Sequence, residues 1–189
     1  MTDARVLATL RSQLHDRARS PNVAGEARRA AVLVPLVGEG DQLDLILFER
    51  SIDVAEHKGE ICFPGGSAEP QDANPIETAL REAEEELALP RSAVEVLGVL
   101  DGVPTNVSNY LITPVVGHVR DDPALVADRV EVARIIRVPV ARLLAAGVES
   151  SAVTSYAGVS RLRYTYAFDG NRVWGATARI LHSLLELIR

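Results

Sequence analysis

The sequence predicts an α/β (α+β) fold, a mixed β-sheet with helices packed against it. Three observations predict it. Two runs rich in Val and Leu, RAAVLVPLV (29–37) and LDLILFER (43–50), flank the turn-forming GEGDQ and read as an early hairpin. Helical periodicity brackets the strands: residues 4–19 carry Val6, Leu7, Leu10 and Leu14 on one side, and GATARILHSLLELI (175–188) has a strong apolar stripe. Between these helices, strand and helix patterns are interleaved, with no repeat, low-complexity tract or linker.

The elements follow in order. After the hairpin, SIDVAEHKGEIC (51–62) is a polar connection, and residues 75–88 form a helix. VEVLGVL (94–100) and YLITPVVGHV (110–119) are strands joined by the loop DGVPTNVSN. EVARIIRVPV is a strand running into VARLLAAG, a short helix ending at Gly147. RLRYTYAF (161–168) is a strand closed by the turn DGN, and the final helix follows. Trp174 is expected in the core, and Tyr110 is open to core packing or to stacking on a base.

Composition narrows the function. The 189 residues, 47% apolar and 24% charged, suit one globular domain spanning 1–189. No apolar run approaches 18 residues, so no membrane span is expected. The net charge of −6 argues against a nucleic-acid-coating protein. A single cysteine, Cys62, precludes an internal disulfide and fits a cytoplasmic, reducing compartment. The apolar faces of the first and last helices are candidates for a homodimer interface or for packing on the chain's own core.

The chemistry concentrates in residues 63–89, FPGGSAEPQDANPIETALREAEEELAL. Asn74 is a good N-cap, Pro75 suits the first helical position, and Glu77 completes a capping-box arrangement. At 100° per residue, Ile76, Ala79, Leu80, Ala83 and Leu87 share the core-facing arc. Glu82, Glu85 and Glu86 share an adjacent arc at i, i+3, i+4, where like charges repel, and they lie in the half of the helix whose dipole disfavours acids. Arg81 can pair with Glu85 or Glu77. Helix stability alone does not select this pattern. Either it is a solvated acidic face, or it holds a hard divalent cation, which takes carboxylates together with substrate phosphates. Gly65 and Gly66, just before the loop feeding the helix, mark a sharp turn or a close backbone approach and favour the second reading.

The stretch resembles a Nudix box, G-x5-E-x7-R-E-U-x-E-E-x-G-U with U aliphatic. Gly66 opens it, and REAEEELAL from Arg81 to Leu89 supplies the helical part. Asp72 stands where the first glutamate is expected, one extra residue separates it from Arg81, and Ala88 replaces the late glycine. The first two departures resemble the coenzyme A pyrophosphatase branch. That branch carries an upstream segment, L-L-T-x-R-[SA]-x3-R-x3-G-x3-F-P-G-G, matched here by Arg50, Ser51, Gly59 and FPGG (63–66), with Phe48 for the threonine and Ala55 for the second arginine. YLITPVVG and VWGATARIL resemble the branch as well, so the likeness covers roughly residues 30–185, with 1–25 a helical extension.

The resemblance implies a Nudix α/β/α sandwich with a mixed sheet and Mg²⁺- or Mn²⁺-dependent hydrolysis of a nucleoside diphosphate linked to another group. For coenzyme A the products are 3′,5′-ADP and 4′-phosphopantetheine. Under it, Glu82 and Glu86 are the main metal ligands, with Glu85 a third ligand or the holder of a metal-bound water, and the Gly65 carbonyl completing the set. Arg81 orients the glutamates. The base is Glu82 or, outside the box, Glu131. Arg50, His57, Phe63, Gly65 and Gly66 are candidate substrate contacts. ADP-ribose, NADH and nucleoside triphosphates are alternative substrates, and a catalytically silent nucleotide-binding domain is an alternative class, against which the intact REAEEE argues.

Overall fold

The computed structural model describes residues 3–15, 27–38, 42–53, 57–105, 109–156 and 159–189. The chain runs α1 (Asp3–His15), β1 (Arg28–Val37), β2 (Asp44–Arg50), β3 (Ile61–Cys62), β4 (Gly65–Ser67), α2 (Pro75–Leu87), β5 (Val94–Val99), β6 (Val103–Pro104), β7 (Tyr110–Val119), β8 (Val132–Pro139), α3 (Val140–Leu143), β9 (Glu149–Tyr156), β10 (Val159–Phe168), β11 (Asn171–Val173) and α4 (Gly175–Ile188).

β1 organises the larger, eight-stranded sheet. It pairs in parallel with β7 along its whole length, from Arg28↔Tyr110 to Val37↔Val119. It forms the expected antiparallel hairpin with β2 and pairs antiparallel with β4 through Ala30↔Ser67, Ala31↔Gly66 and Val32↔Gly65. Side chains alternate across the strand. Ala31, Leu33 and Val37 face one core, closed by Ala79, Ala83 and Leu87 of α2. Val34 and Leu36 face the other, closed by Val6, Leu7, Leu10 and Leu14 of α1 and Leu181, Leu184 and Leu185 of α4. The result is an α/β/α sandwich with a mixed sheet, as expected. The apolar faces of both α1 and α4 are buried in the chain's own core rather than left for a second copy.

The structure departs from the sequence reading in several places. A second, three-stranded sheet, β11-β10-β9, adds a strand the sequence did not announce. Its sequence, ESSAVTSY, lacks an apolar alternation because residues 150–153, which point to both faces of the strand, are all exposed. α3 ends at Leu143, not Gly147, where the Ala145 N–H turns to the Arg142 carbonyl. Trp174 is not a core residue: it is the N-cap of α4 and 45% exposed. Residues 16–19 of the expected first helix, most of the hairpin loop, and Ala55 lie outside the described residues. Among the described residues, no helix is long and apolar enough to cross a membrane.

Candidate active site

α2 starts where its cap dictates. The Asn74 side chain accepts from the backbone N–H groups of Ile76 and Glu77 at 2.9 and 3.1 Å. The reciprocal half of the capping box is absent: the Glu77 carboxylate goes to Arg91 at 2.8 Å instead. At the other end Ala88 takes the left-handed conformation (φ 51°) that glycine usually supplies, and its N–H bonds the Ala83 carbonyl. The loop between β7 and β8 then caps the helix, with the N–H groups of Val126 and Asp128 donating to the Leu87 and Glu86 carbonyls, both at 2.9 Å. This attachment carries Glu131 to the box, close enough for its charge to act on Glu82 and Glu86.

The three box glutamates do not share one environment. Glu86 is 3% exposed. Its Oε2 accepts the Gly65 N–H at 2.9 Å, and Arg50 Nη2 lies 3.4 Å from its Oε1. Burial pushes its carboxyl up to about 8; the Gly65 N–H and Arg50 pull it down, and Glu82 and Glu131 push it further up. Glu82 is raised for the same first reason, burial, opposed by Arg81. Glu85 points outward, its side chain 59% exposed, and pairs with Arg81 at 3.1 Å.

The glycines are explained by these carboxylates. A Cβ at Gly66 would overlap the Glu82 carboxylate, and one at Gly65 (φ 158°) would overlap the Ala31 carbonyl and Val32. Only bare backbone lets the box helix close on β4.

Arg81 is the hub. It forks onto Asp72, Nε to Oδ1 and Nη2 to Oδ2, both at 3.1 Å. It also donates to the Ser67 carbonyl at 3.1 Å and reaches Glu82 at 3.0 Å. Asp72 accepts further from Thr78 Oγ1 and the Glu69 N–H, each at 2.9 Å, and the Arg81 hydrogen bond holds its carboxyl down at about 2. The sequence reading missed this anchor. The signal was present, since Asp72 is the acid at a box position, but Arg81 was given only helix-internal partners, Glu85 or Glu77, and Glu77 belongs to Arg91.

The remaining candidates are dispersed. Arg50 faces Glu86 and stands 6.0 Å from the Phe48 ring centroid. His57 is exposed, has φ 59°, and meets Glu60 at 3.1 Å. Phe63 is 2% exposed in the larger core, which leaves its ring no open face for a base. Cys62 lies beside Arg50 and Glu86, and burial pushes its thiol up to about 12, which makes it inert at neutral pH.

The donor set suits a hard divalent cation. Glu82 and Glu86 are oxygen donors whose proton affinities are raised first by burial and then by neighbouring carboxylates, with Arg81 and Arg50 opposing the rise. Among the described residues no three acidic, histidine or cysteine side chains come together closely enough to hold an ion; Arg81 stands between Glu82 and Glu85.

The family model described as the NUDIX domain matches residues 27–157. The chain belongs to the Nudix family. It is 39% identical over 163 residues to the Nudix hydrolase NudL of Photorhabdus laumondii subsp. laumondii, covering 86% of each chain. It is 41% identical over 157 residues to NudL of Escherichia coli K12, covering 83% of this chain and 81% of that one. In fold it matches a MutT/nudix family protein from Enterococcus faecalis at a TM-score of 0.52 and 16% identity, over 99% of this chain and 72% of the other. It is accordingly a Nudix diphosphate hydrolase, and Nudix hydrolases generally use divalent metals such as Mg²⁺ or Mn²⁺.

Proposed function

We propose that the protein hydrolyses coenzyme A or its acyl derivatives to 3′,5′-ADP and (acyl-)4′-phosphopantetheine, with Mg²⁺ or Mn²⁺. One observation carries the reading. Arg50 and Gly65, both from the upstream segment that resembles the coenzyme A pyrophosphatase branch, meet on one box glutamate, Glu86. Segment and box thus form one unit, which supports a shared task on one substrate.

In this proposal Glu82 and Glu86 hold the cation, with Glu85 and the Gly65 carbonyl as additional donors. The cation, when bound, neutralises charge on the nonbridging diphosphate oxygens and lowers the pKa of bound water. The chain's own residues do the rest. Arg81, locked by Asp72, fixes the rotamers of Glu82 and Glu85. The Gly65 N–H aims one oxygen of Glu86, and bare backbone at Gly66 leaves room for Glu82. Glu82 takes the proton of the attacking water, with Glu131 as the second candidate, since its loop brings it beside the same carboxylates. Arg50 guards Glu86 and offers a cation to substrate phosphate; His57 stands exposed on the same connection. Residues 30–185 form the catalytic core and 1–25 an N-terminal extension of a single domain, working on small molecules in the cytoplasm.

The test is a substrate panel of coenzyme A, acetyl-coenzyme A, ADP-ribose, NADH and nucleoside triphosphates with Mg²⁺ or Mn²⁺, products separated by chromatography, with Glu86→Gln as control. Release of 3′,5′-ADP, lost in the variant, is expected. Cleavage of another member instead discards the substrate and keeps the chemistry. No turnover of any member returns the protein to a nucleotide-binding role.

A further inference from the structure

Asp128 ties the end of the box helix to the start of β8. Its N–H donates to the Glu86 carbonyl at 2.9 Å, in the last turn of α2, and its own carbonyl accepts the Val132 N–H at 2.8 Å, at the first residue of β8. Between these two anchors its side chain folds forward along the chain. Oδ1 accepts the N–H groups of Val130 at 2.8 Å and Glu131 at 3.0 Å. From the other side, the Glu131 carbonyl accepts the Ser51 N–H at 2.8 Å. Ser51 follows Arg50, which pairs with Val132 in the sheet and whose guanidinium faces Glu86. Both backbone polar groups of Glu131 are therefore held, and Asp128 holds one of them.

The side chain of Glu131 is not held. It is exposed, and among the described residues its carboxylate has no hydrogen-bond or ion-pair partner. Its charge nonetheless acts on Glu82 and Glu86. Glu82, the other candidate base, differs: its side chain is 16% exposed and lies 3.0 Å from Arg81. A general base needs a fixed position and a carboxylate whose proton affinity no arginine holds down. A pinned backbone with an unclaimed side chain meets both conditions. We infer that Asp128 is a positioning residue, fixing Glu131 so that its carboxylate takes the proton of the attacking water. The inference rests on the proposed diphosphate hydrolysis at this site and selects Glu131 over Glu82 as the base. As the water oxygen bonds phosphorus, its proton passes to Glu131 and the bridging P–O bond breaks, the electron pair leaving on the bridging oxygen. Asp128 itself touches none of the reacting atoms.

The test measures kcat and KM on the panel member that the wild type cleaves. Glu131→Gln is expected to lower kcat by about 100- to 10,000-fold, the scale of general-base catalysis. Asp128→Ala is expected to lower it by about 10- to 100-fold, the scale of a small misplacement, with KM unchanged. Asp128→Asn, which keeps the Oδ1 acceptor, restores most of the rate. Asp128→Glu keeps the charge but displaces the acceptor; it is expected to match alanine and serves in its place should alanine fold poorly. In the Glu131→Gln background, Asp128→Ala is expected to remove nothing further, because the two residues act as one unit. In the metal-free protein, amide exchange at Val130 and Glu131 is expected to quicken in Asp128→Ala and to stay slow in Asp128→Asn. Wild-type kcat in Asp128→Ala, unchanged exchange there, or an equal loss with and without the Glu131 carboxylate overturns the inference and leaves the proposed function standing. So does full activity in Glu131→Gln, which returns the proton to Glu82. A wild type that cleaves no panel member overturns both.

Discussion

Two glutamates near arginines meet opposite fates in this molecule. Glu149, on β9, lies among Arg189, Tyr166 and His182: its Oε2 accepts the Tyr166 hydroxyl at 2.8 Å and bonds Arg189, and His182, stacked on Tyr164, is 3.4 Å from Oε1. Burial raises its carboxyl, but the bonds from Arg189 and Tyr166 outweigh that and leave it below the ordinary glutamate range. Glu86 has one backbone N–H and a longer arginine contact, and ends at about 8. The first carboxylate is satisfied by the protein. The second is buried with too few partners to hold its ionised form, an arrangement that stability does not select and that the proposed cation site would explain.

The sharpest way to break this comparison is to neutralise each acid. Glu86→Gln is expected to cost more than about 100-fold in kcat, beyond the loss typical of an outer-shell partner, while the metal-free protein melts at or above the wild-type temperature. Glu149→Gln is expected to do the reverse, leaving kcat unchanged and lowering stability by about 1–3 kcal/mol in urea unfolding. If Glu86→Gln destabilises and Glu149→Gln does not, the contrast between the two sites is wrong.

Asp72→Asn comes next. It leaves the buried Arg81 fork half-paired and is expected to cost about 3 kcal/mol, together with kcat, since Glu82 and Glu85 lose their common anchor. The pH dependence has a definite sign. Asp72 is depressed to about 2, so its contribution is complete above the unfolded value of about 3.9 and fades as pH falls through about 2. Glu149, also depressed, likewise loses its contribution as pH falls below its unfolded value. Wild-type stability therefore declines with acid from about pH 4, and the decline is shallower in Asp72→Asn, as denaturant midpoints measured across pH 2–5 would reveal.

The smallest effect concerns Ala88. Its φ of 51° strains a residue with a Cβ, and Ala88→Gly is expected to raise stability by about 0.5 kcal/mol, the relief being partly offset by the freer unfolded chain.

Much of this was legible in the sequence because the signals were local. Asn74 and Pro75 fix the start of α2, and the positions of Ala79, Ala83 and Leu87 fix its buried face. The spacing of glycines and carboxylates by itself points to the box. What stayed hidden depends on tertiary contact. The helical arc grouped Glu82, Glu85 and Glu86 together, but adjacent residues diverge by about 100°. Glu86, at i+3 from Ala83, turns under β4, while Glu85 turns to solvent. Arg28 and Tyr110 meet only through the parallel pairing of β1 and β7, which no local pattern announces. β9 escaped because residues 150–153 are exposed on both faces of the strand, which removes the apolar alternation a half-buried strand shows.

The most direct measurement is calorimetric titration of Mn²⁺ into metal-free wild type, Glu86→Gln and Glu149→Gln at neutral pH. The expected result is binding to wild type and Glu149→Gln and its loss in Glu86→Gln. Equal binding by all three proteins would contradict the proposal that the buried, under-partnered Glu86 carboxylate holds the cation.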